Sequence, residues 1–249
     1  DAFKLQDTYG FPIDLTKEIA AENNMTVDEE KFRALVEEAR LKAKNAKRDA
    51  ADSDWRNSGV SFKDIAATEF LGYSENAVAA TVAAIVADGE RKDFIEDGAD
   101  ATLVLDKTSF YAESGGQVGD TGTIGNGANT AVVADTMKSE GHFLHIASVT
   151  EGTLAKGDKV TAAIDRERRM AIMKNHTSAH LLQYALREVL GDHVHQAGQL
   201  VNDKACRFDF NHFSGLTAEE IAKVEALVNA EIMKALPVTM EEMPIDEAR

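Results

Sequence analysis

Apolar positions along the chain change their period twice. Over the first fifty residues they recur at three- and four-residue spacing, the period of a helix face. Asp14 is placed to cap a short amphipathic helix through Leu15, Ile19 and Ala20, which Asn23-Asn24 ends. Thr26 with Glu29 has the form of a capping box, and the helix it predicts carries Phe32, Leu35, Val36, Ala39, Ala43 and Ala46 on one face. Its distal end is basic (Arg40, Lys42, Lys44, Lys47, Arg48), which suits a solvated helix face or a nucleic-acid backbone.

Periodicity stops between Asp52 and Gly59. From Val60 to about Asp165 the pattern is that of strands, at residues 81–86, 101–105, 131–135, 143–149 and 159–164, with Asp88-Gly89, Asp97-Gly98, Asn126-Gly127 and Glu151-Gly152 as turn dipeptides. Short strands at this spacing predict a small barrel or compact sheet. At Asp165 the helical period returns. Residues 166–190 carry Met170, Met173, Leu181, Leu182, Ala185, Leu186 and Val189 until Gly191 stops them. A hairpin follows at 199–201 and 205–210 around Asn202-Asp203. Thr217 with Glu220 then opens a helix to about Leu236, and 238–245 reads as a returning strand. The expected class is therefore α+β. It comprises a helical segment and linker (1–58), a small β-barrel-like domain (59–165) and a two-layer α+β core (166–249).

Composition adds constraints rather than a function. Hydrophobic residues make up 44% and charged residues 28% of 249, as in an ordinary globular protein. No apolar run approaches the roughly 18 residues of a membrane helix, and Asp1 does not open a secretory signal. A start without Met, straight into patterned sequence, is expected of a piece of a longer chain. The single cysteine, Cys206, excludes an internal disulfide and fits a reducing, cytoplasmic setting. A formal charge of −16 argues against broad electrostatic binding of nucleic acid, so any RNA contact must be local or supplied by other parts of the protein.

The sharpest chemical feature is His176-Thr177-Ser178-Ala179-His180. Imidazoles four residues apart lie one helical turn apart on one face, where both can reach one zinc ion; two surface histidines are the plain alternative. A metalloprotease would need Glu directly after the first His, where Thr177 stands. Further ligands are scarce. Cys206 shares a strand face with Phe208 and Phe210 and reads as a small apolar residue, His212 after the strand could be a ligand or a surface-loop residue, and His193 and His195 flank the turn after the helix, on opposite faces if that segment is extended. The pattern is half a metal site. A second feature is Phe110 to Gln117, in which Gly115 and Gly116 let backbone N–H groups approach an ester or phosphate oxygen, or simply make a tight turn.

Taken together and in order, these segments resemble bacterial alanyl-tRNA synthetases. Phe3-Lys4-Leu5 with Asp7-Thr8-Tyr9-Gly10-Phe11-Pro12-Ile13-Asp14-Leu15-Thr16 is similar to the segment leaving that family's tRNA-recognition region. Phe110–Asp120 resembles its glycine-rich editing-side loop, Asn175–Leu182 its HxxxH motif, and Arg207-Phe208-Asp209-Phe210 the strand behind it. The resemblance implies a ligase joining alanine to tRNA(Ala) with ATP and magnesium in an upstream catalytic domain. It also implies an editing core that hydrolyses mischarged Ser-tRNA(Ala) and Gly-tRNA(Ala) with zinc. Two zinc ligands would be His176 and His180, the others coming from a later Cys-xxx-His motif beyond Arg249. The substrate-binding set it implies is Thr177, Gln196, Gly198, Glu113, Gly115, Gly116 and Gln117. Arg166, Arg169 and Lys174 are expected to hold tRNA phosphates, or to be ordinary solvated charge. The piece is expected to lack ligase activity because the catalytic domain lies upstream and, without the later ligands, to have an incomplete editing site and to hold zinc weakly, with any oligomer formed through other regions. Departures from the family pattern fall at Ala179, His195 and Gln199. A free-standing deacylase and a non-catalytic tRNA-binding module remain as rival readings.

Overall fold

The fold is taken from a computed structural model, which describes residues 2–9, 13–23, 25–36, 60–238, 243–244 and 246–247. The chain divides into two compact units, Asp1–Gly59 and Val60–Arg249. In the first, α1 (Ala2–Tyr9) and α2 (Ile13–Glu22) are followed by helical residues 29–36, here α3. Two sequence expectations shift. Helix α2 begins at Ile13, so Asp14 lies inside its first turn rather than ahead of it. Asp28, not Thr26, caps α3: its carboxylate accepts the Lys31 N–H at 2.9 Å and its carbonyl accepts the Phe32 N–H at 3.0 Å. Glu29 is free of the expected box and pairs instead with Lys17 at 2.6 Å. The expected basic end of this helix and the linker lie outside the described residues, as does most of the strand expected at 238–245.

The second unit is built on a closed barrel. Its strands are β2 (Ala77–Ala87), β5 (Asp100–Leu105), β7 (Gly122–Gly125), β8 (Thr130–Ser139), β9 (His142–Glu151) and β11 (Lys159–Ile164). They pair antiparallel in the order β11-β7-β8-β9-β5-β2, and β2 closes on β11 through Ala80 opposite Val160. Closure removes both sheet edges. Short pairs decorate this ring: β1 (Glu69–Phe70) with β6 (Lys107–Thr108), β3 (Glu90–Lys92) on β2, and β4 (Phe94–Glu96) with β10 (Thr153–Ala155). Val78, Val82, Leu103, Leu105, Phe110, Ile124, Val133 and Val160 fill the interior. The strand missing from the sequence reading, β7, carries one buried apolar residue, Ile124, between two glycines. It is a strand because of its neighbours. A Cβ on Gly122 would come within 2.1 Å of the Ala163 carbonyl oxygen, so only glycine lets β7 approach β11 and complete the ring.

Inside the barrel sits a histidine that cannot hold a charge. His145 is fully buried; its Nδ1–H donates to the Leu103 carbonyl at 2.9 Å, which leaves Nε2 to accept the Thr108 hydroxyl at 2.8 Å. Burial pushes its pKa down to about 4 from 6.5.

After the barrel, Asp165 caps α4 (Arg166–Leu190) by accepting the Arg168 N–H, and Gly191 ends it. The hairpin β12 (Gln196–Val201) and β13 (Cys206–Phe210) packs on α4, followed by α5 (Ala218–Met233) behind a complete Thr217/Glu220 capping box. Ala185, Leu186, Val194 and Val224 form the core of this layer. Helix α4 is locked to the barrel side by Arg169, which is 6% exposed. Its guanidinium grips the buried Asp120 carboxylate, through Nε at 2.9 Å and also through Nη2, and donates to the carbonyls of Gly72 at 2.9 Å and Ser109 at 3.0 Å. Barrel and α+β layer accordingly cluster as one unit.

Two measurements test this account. His145 is neutral in the fold, so on acidification the unfolded chain takes the proton first. Its contribution is present above pH 6.5 and is lost as pH falls toward about 4. Unfolding free energies from urea titrations should fall by about 1.5 kcal/mol between pH 6.5 and 5 from this group, and His145→Gln should flatten the slope. Replacing Arg169 by Met strands a buried carboxylate and should cost about 3–5 kcal/mol in the same assay; a loss below 1 kcal/mol would show that the pair does not hold the layers together.

Candidate functional site

The turn from Ser114 to Gln117 is the barrel's contribution to the site. Ser114 and Gln117 exchange N–H···O bonds at 3.2 and 3.0 Å, with Gly115 at φ +60° and Gly116 at φ +77° between them. Two consecutive positive φ values define a type I′ turn, which side chains resist. The turn's own bonds leave the Gly115 and Gly116 N–H groups at its tip. It is seated on β12 by the Val201 N–H donating to the Gly116 carbonyl at 2.7 Å and the Val118 N–H donating to Val201 at 3.1 Å. A Cβ on Gly116 would lie 2.4 Å from the Gln199 side chain, so this contact too needs glycine. Gln199 completes the seat, its amide donating to the Gly115 carbonyl. The sequence marked Gln199 only as a departure, yet it is the residue that fastens the turn.

Gln117 is 5% exposed and points at α4. Its Oε1 lies 2.7 Å from His176 Nδ1. An amide oxygen only accepts, so Nδ1 carries the hydrogen and Nε2 keeps a free lone pair. That is the arrangement by which an outer partner orients a metal-ligating imidazole. The His180 ring lies beside it, centroids 5.3 Å apart and planes 12° from parallel. Burial, and secondarily the neighbouring His180, lower the His176 pKa and favour the neutral ring. The two histidines therefore share one surface next to the glycine turn. Among the described residues, no group of three or more His, Cys, Asp or Glu is arranged to hold a metal. The pair fits two nitrogen ligands of a zinc site and no more.

The other expected residues separate into those near this centre and those elsewhere. Ala179, the third residue between the histidines, is 1% exposed and packs with Ile172 and Val201, so it faces the core. Cys206 packs against the same cluster, in keeping with an apolar role. Thr177 and Glu113 are exposed. Gly198 pairs with Asp209 beyond a bulge in β12, and Gln196 stands exposed at the start of that strand, opposite Phe210. No hydrogen bond ties Gln196 to the histidines among the described residues. Arg166 and Lys174 line an open groove of about 450 Å³ with Asn175 and Lys204, partly offset by Glu167 and Asp203. Arg169 does not join them. It was expected at a phosphate contact and is instead consumed by Asp120 and two carbonyls, because the barrel needs a cation there. Neighbouring Arg168 is likewise turned inward, to the Gly119 carbonyl at 2.9 Å and Asp203 at 3.7 Å.

A family model described as tRNA synthetases class II (A) matches residues 1–168. Alanine–tRNA ligase of Acetivibrio thermocellus is 48% identical over 249 residues, covering 99% of this chain and 28% of the relative. That of Geobacillus kaustophilus is 46% identical over 252 residues (100% and 28%), and that of Bacillus velezensis 42% over 251 residues (100% and 28%). The chain thus spans just over a quarter of the length of the curated relatives it matches. With more than half of its residues inside the family model, it belongs to the class II (A) tRNA synthetases.

Proposed function

We propose that residues 60–249 are the greater part of an ester-hydrolysing editing region within a longer alanine–tRNA ligase. Its substrates would be Ser-tRNA(Ala) and Gly-tRNA(Ala). The observation that carries this reading is the Gln117–His176 contact, which joins the glycine turn of the barrel to the histidine pair of α4. A ligase pocket shaped for a methyl group discriminates poorly against side chains of similar size, so a second, hydrolytic site has a physical reason to exist. His176 and His180 would supply two ligands to zinc, whose contribution when bound is Lewis-acid chemistry at the ester. Gln117 holds the His176 ring in the tautomer with Nε2 available. The Gly115 and Gly116 N–H groups are the donors offered to an ester oxygen, in the manner of an oxyanion-binding turn. Thr177, Glu113, Gln196 and Gly198 form the outer rim of the same reading. Arg166 and Lys174, joined by Lys204, are the cations left for tRNA phosphates. Alanine and ATP with magnesium would bind in another part of the full-length enzyme, and a cytoplasmic setting follows from that activity.

Deacylation of Ser-tRNA(Ala) by the longer ligase polypeptide tests the assignment. His176→Ala should reduce the rate to near background. Gln117→Leu should slow it about 10- to 100-fold while leaving aminoacylation intact. An unchanged rate for His176→Ala would sink the reading. Metal analysis gives a second check. With two imidazole ligands, the purified chain should carry well under one zinc per molecule, and one tightly held zinc would contradict the half-site.

A further inference from the structure

The loop between β13 and α5 carries a large aromatic ring on its surface. Residues 211–216 join β13 to α5, and Phe213 within them is 87% exposed. Its ring lies on the imidazole of His193, with centroids 4.6 Å apart and planes at 25°. His193 stacks in turn on His212, at 5.1 Å and 23°.

This stack is held in place from both strands of the hairpin. His193 Nε2 and His212 Nδ1 lie 2.9 Å apart, within hydrogen-bond distance. Asn211 clasps the approach to β12: its Nδ2 donates to the His193 carbonyl at 3.0 Å, its Oδ1 accepts the His195 N–H at 2.7 Å, and its own N–H donates to the His195 carbonyl at 3.3 Å. One face of the Phe213 ring is thus fixed against His193 and the other is presented to solvent.

Its surroundings narrow what can sit there. Its loop neighbours Asn211, Ser214 and Gly215 are exposed and not apolar, so the loop itself offers no contiguous apolar patch around Phe213. Protein and membrane partners require such a patch. One planar ligand does not. His193 follows Asp192, which with His180, Gln183, Tyr184, Arg187 and Glu188 lines an open groove of about 350 Å³ along α4. The groove has His180 at one end and, at the other, Asp192, which precedes His193 in the sequence.

We propose that the His212–His193–Phe213 stack is a nucleobase platform. Phe213 takes the face of one unpaired base of single-stranded RNA, whose 3′ end lies along the α4 groove toward His180. The choice of RNA rests on the editing reading, while the stacking chemistry rests on the ring geometry alone. Stacking suits this chain because it needs no broad positive field, and the net charge is −16.

The test is fluorescence anisotropy of the purified chain with an RNA hairpin bearing a four-nucleotide 3′ overhang, and with the same hairpin made blunt. Phe213→Ala should weaken binding of the overhang about 5- to 100-fold. Phe213→Trp should retain it, abasic nucleotides in the overhang should reproduce the Ala loss, and the blunt hairpin should not distinguish the variants. Phe213 is too exposed for its removal to unfold the layer, which circular dichroism checks. Overhang binding by Phe213→Ala within twofold of the parent, or no overhang binding by the parent at all, would overturn the platform. Deacylation by His176→Ala is read separately. If it survives while Phe213→Ala loses the overhang, the editing reading fails and the platform stands.

Discussion

The geometry of the second unit depends on one buried charge pair. Arg169 enters from the first turns of α4, Asp120 from the loop leaving the glycine turn, and neither is open to water. A lone buried guanidinium would be costly, and here Asp120, Gly72 and Ser109 together satisfy it. The pair also has consequences in two directions. Asp120 accepts the Tyr111 N–H at 2.8 Å, so the same carboxylate fixes the chain on both sides of the glycine turn. Arg169 fixes the rotation of α4 about its axis. With the turn and the helix each held by one end of the same ion pair, Gln117 and His176 meet.

That relation explains why the candidate site spans two layers. His176 and His180 alone are two rings on a helix, and Gly115-Gly116 alone is a tight turn. Each has an ordinary structural reading. What gives them a chemical one is the hydrogen bond between Gln117 and His176, since it selects the tautomer that leaves Nε2 free. The close approach of Gly116 to Gln199 serves the same end from the strand side.

The sequence was most legible where a local rule coincided with the tertiary outcome. Helix α4 spans the residues its period predicts, from an Asp165 cap to Gly191, and the Thr217/Glu220 box opens α5 as expected. The long strands were found at their apolar centres but not at their ends. In β8 and β9 the ladder runs on through polar residues paired across the hairpin, such as Ser139 with His142. Strand β7 was invisible because its reason for being a strand is ring closure, not its own composition. At α3 the cap falls to Asp28 rather than Thr26, because its carboxylate reaches the Lys31 N–H. The histidine pair and glycine turn could be named from spacing and residue type. Their juxtaposition could not, and neither could Gln199, whose role exists only because β12 passes under the turn.

Arg169 is a cation that the fold uses internally. Four cations, Arg166, Arg168, Arg169 and Lys174, lie on the first turns of α4, and read along the chain they form a basic patch. In the fold two of the four are spent inside the protein, and the remaining groove holds three cations against two carboxylates. Such a surface neutralises few phosphates, so its affinity for a nucleic acid would be modest and its salt dependence shallow. The proposed RNA contacts accordingly rely on fixed local chemistry rather than net charge: donors at a turn tip, an oriented imidazole and a stacked ring. On the proposed editing reading, specificity would come from the terminal nucleotides and the ester they carry rather than from bulk charge.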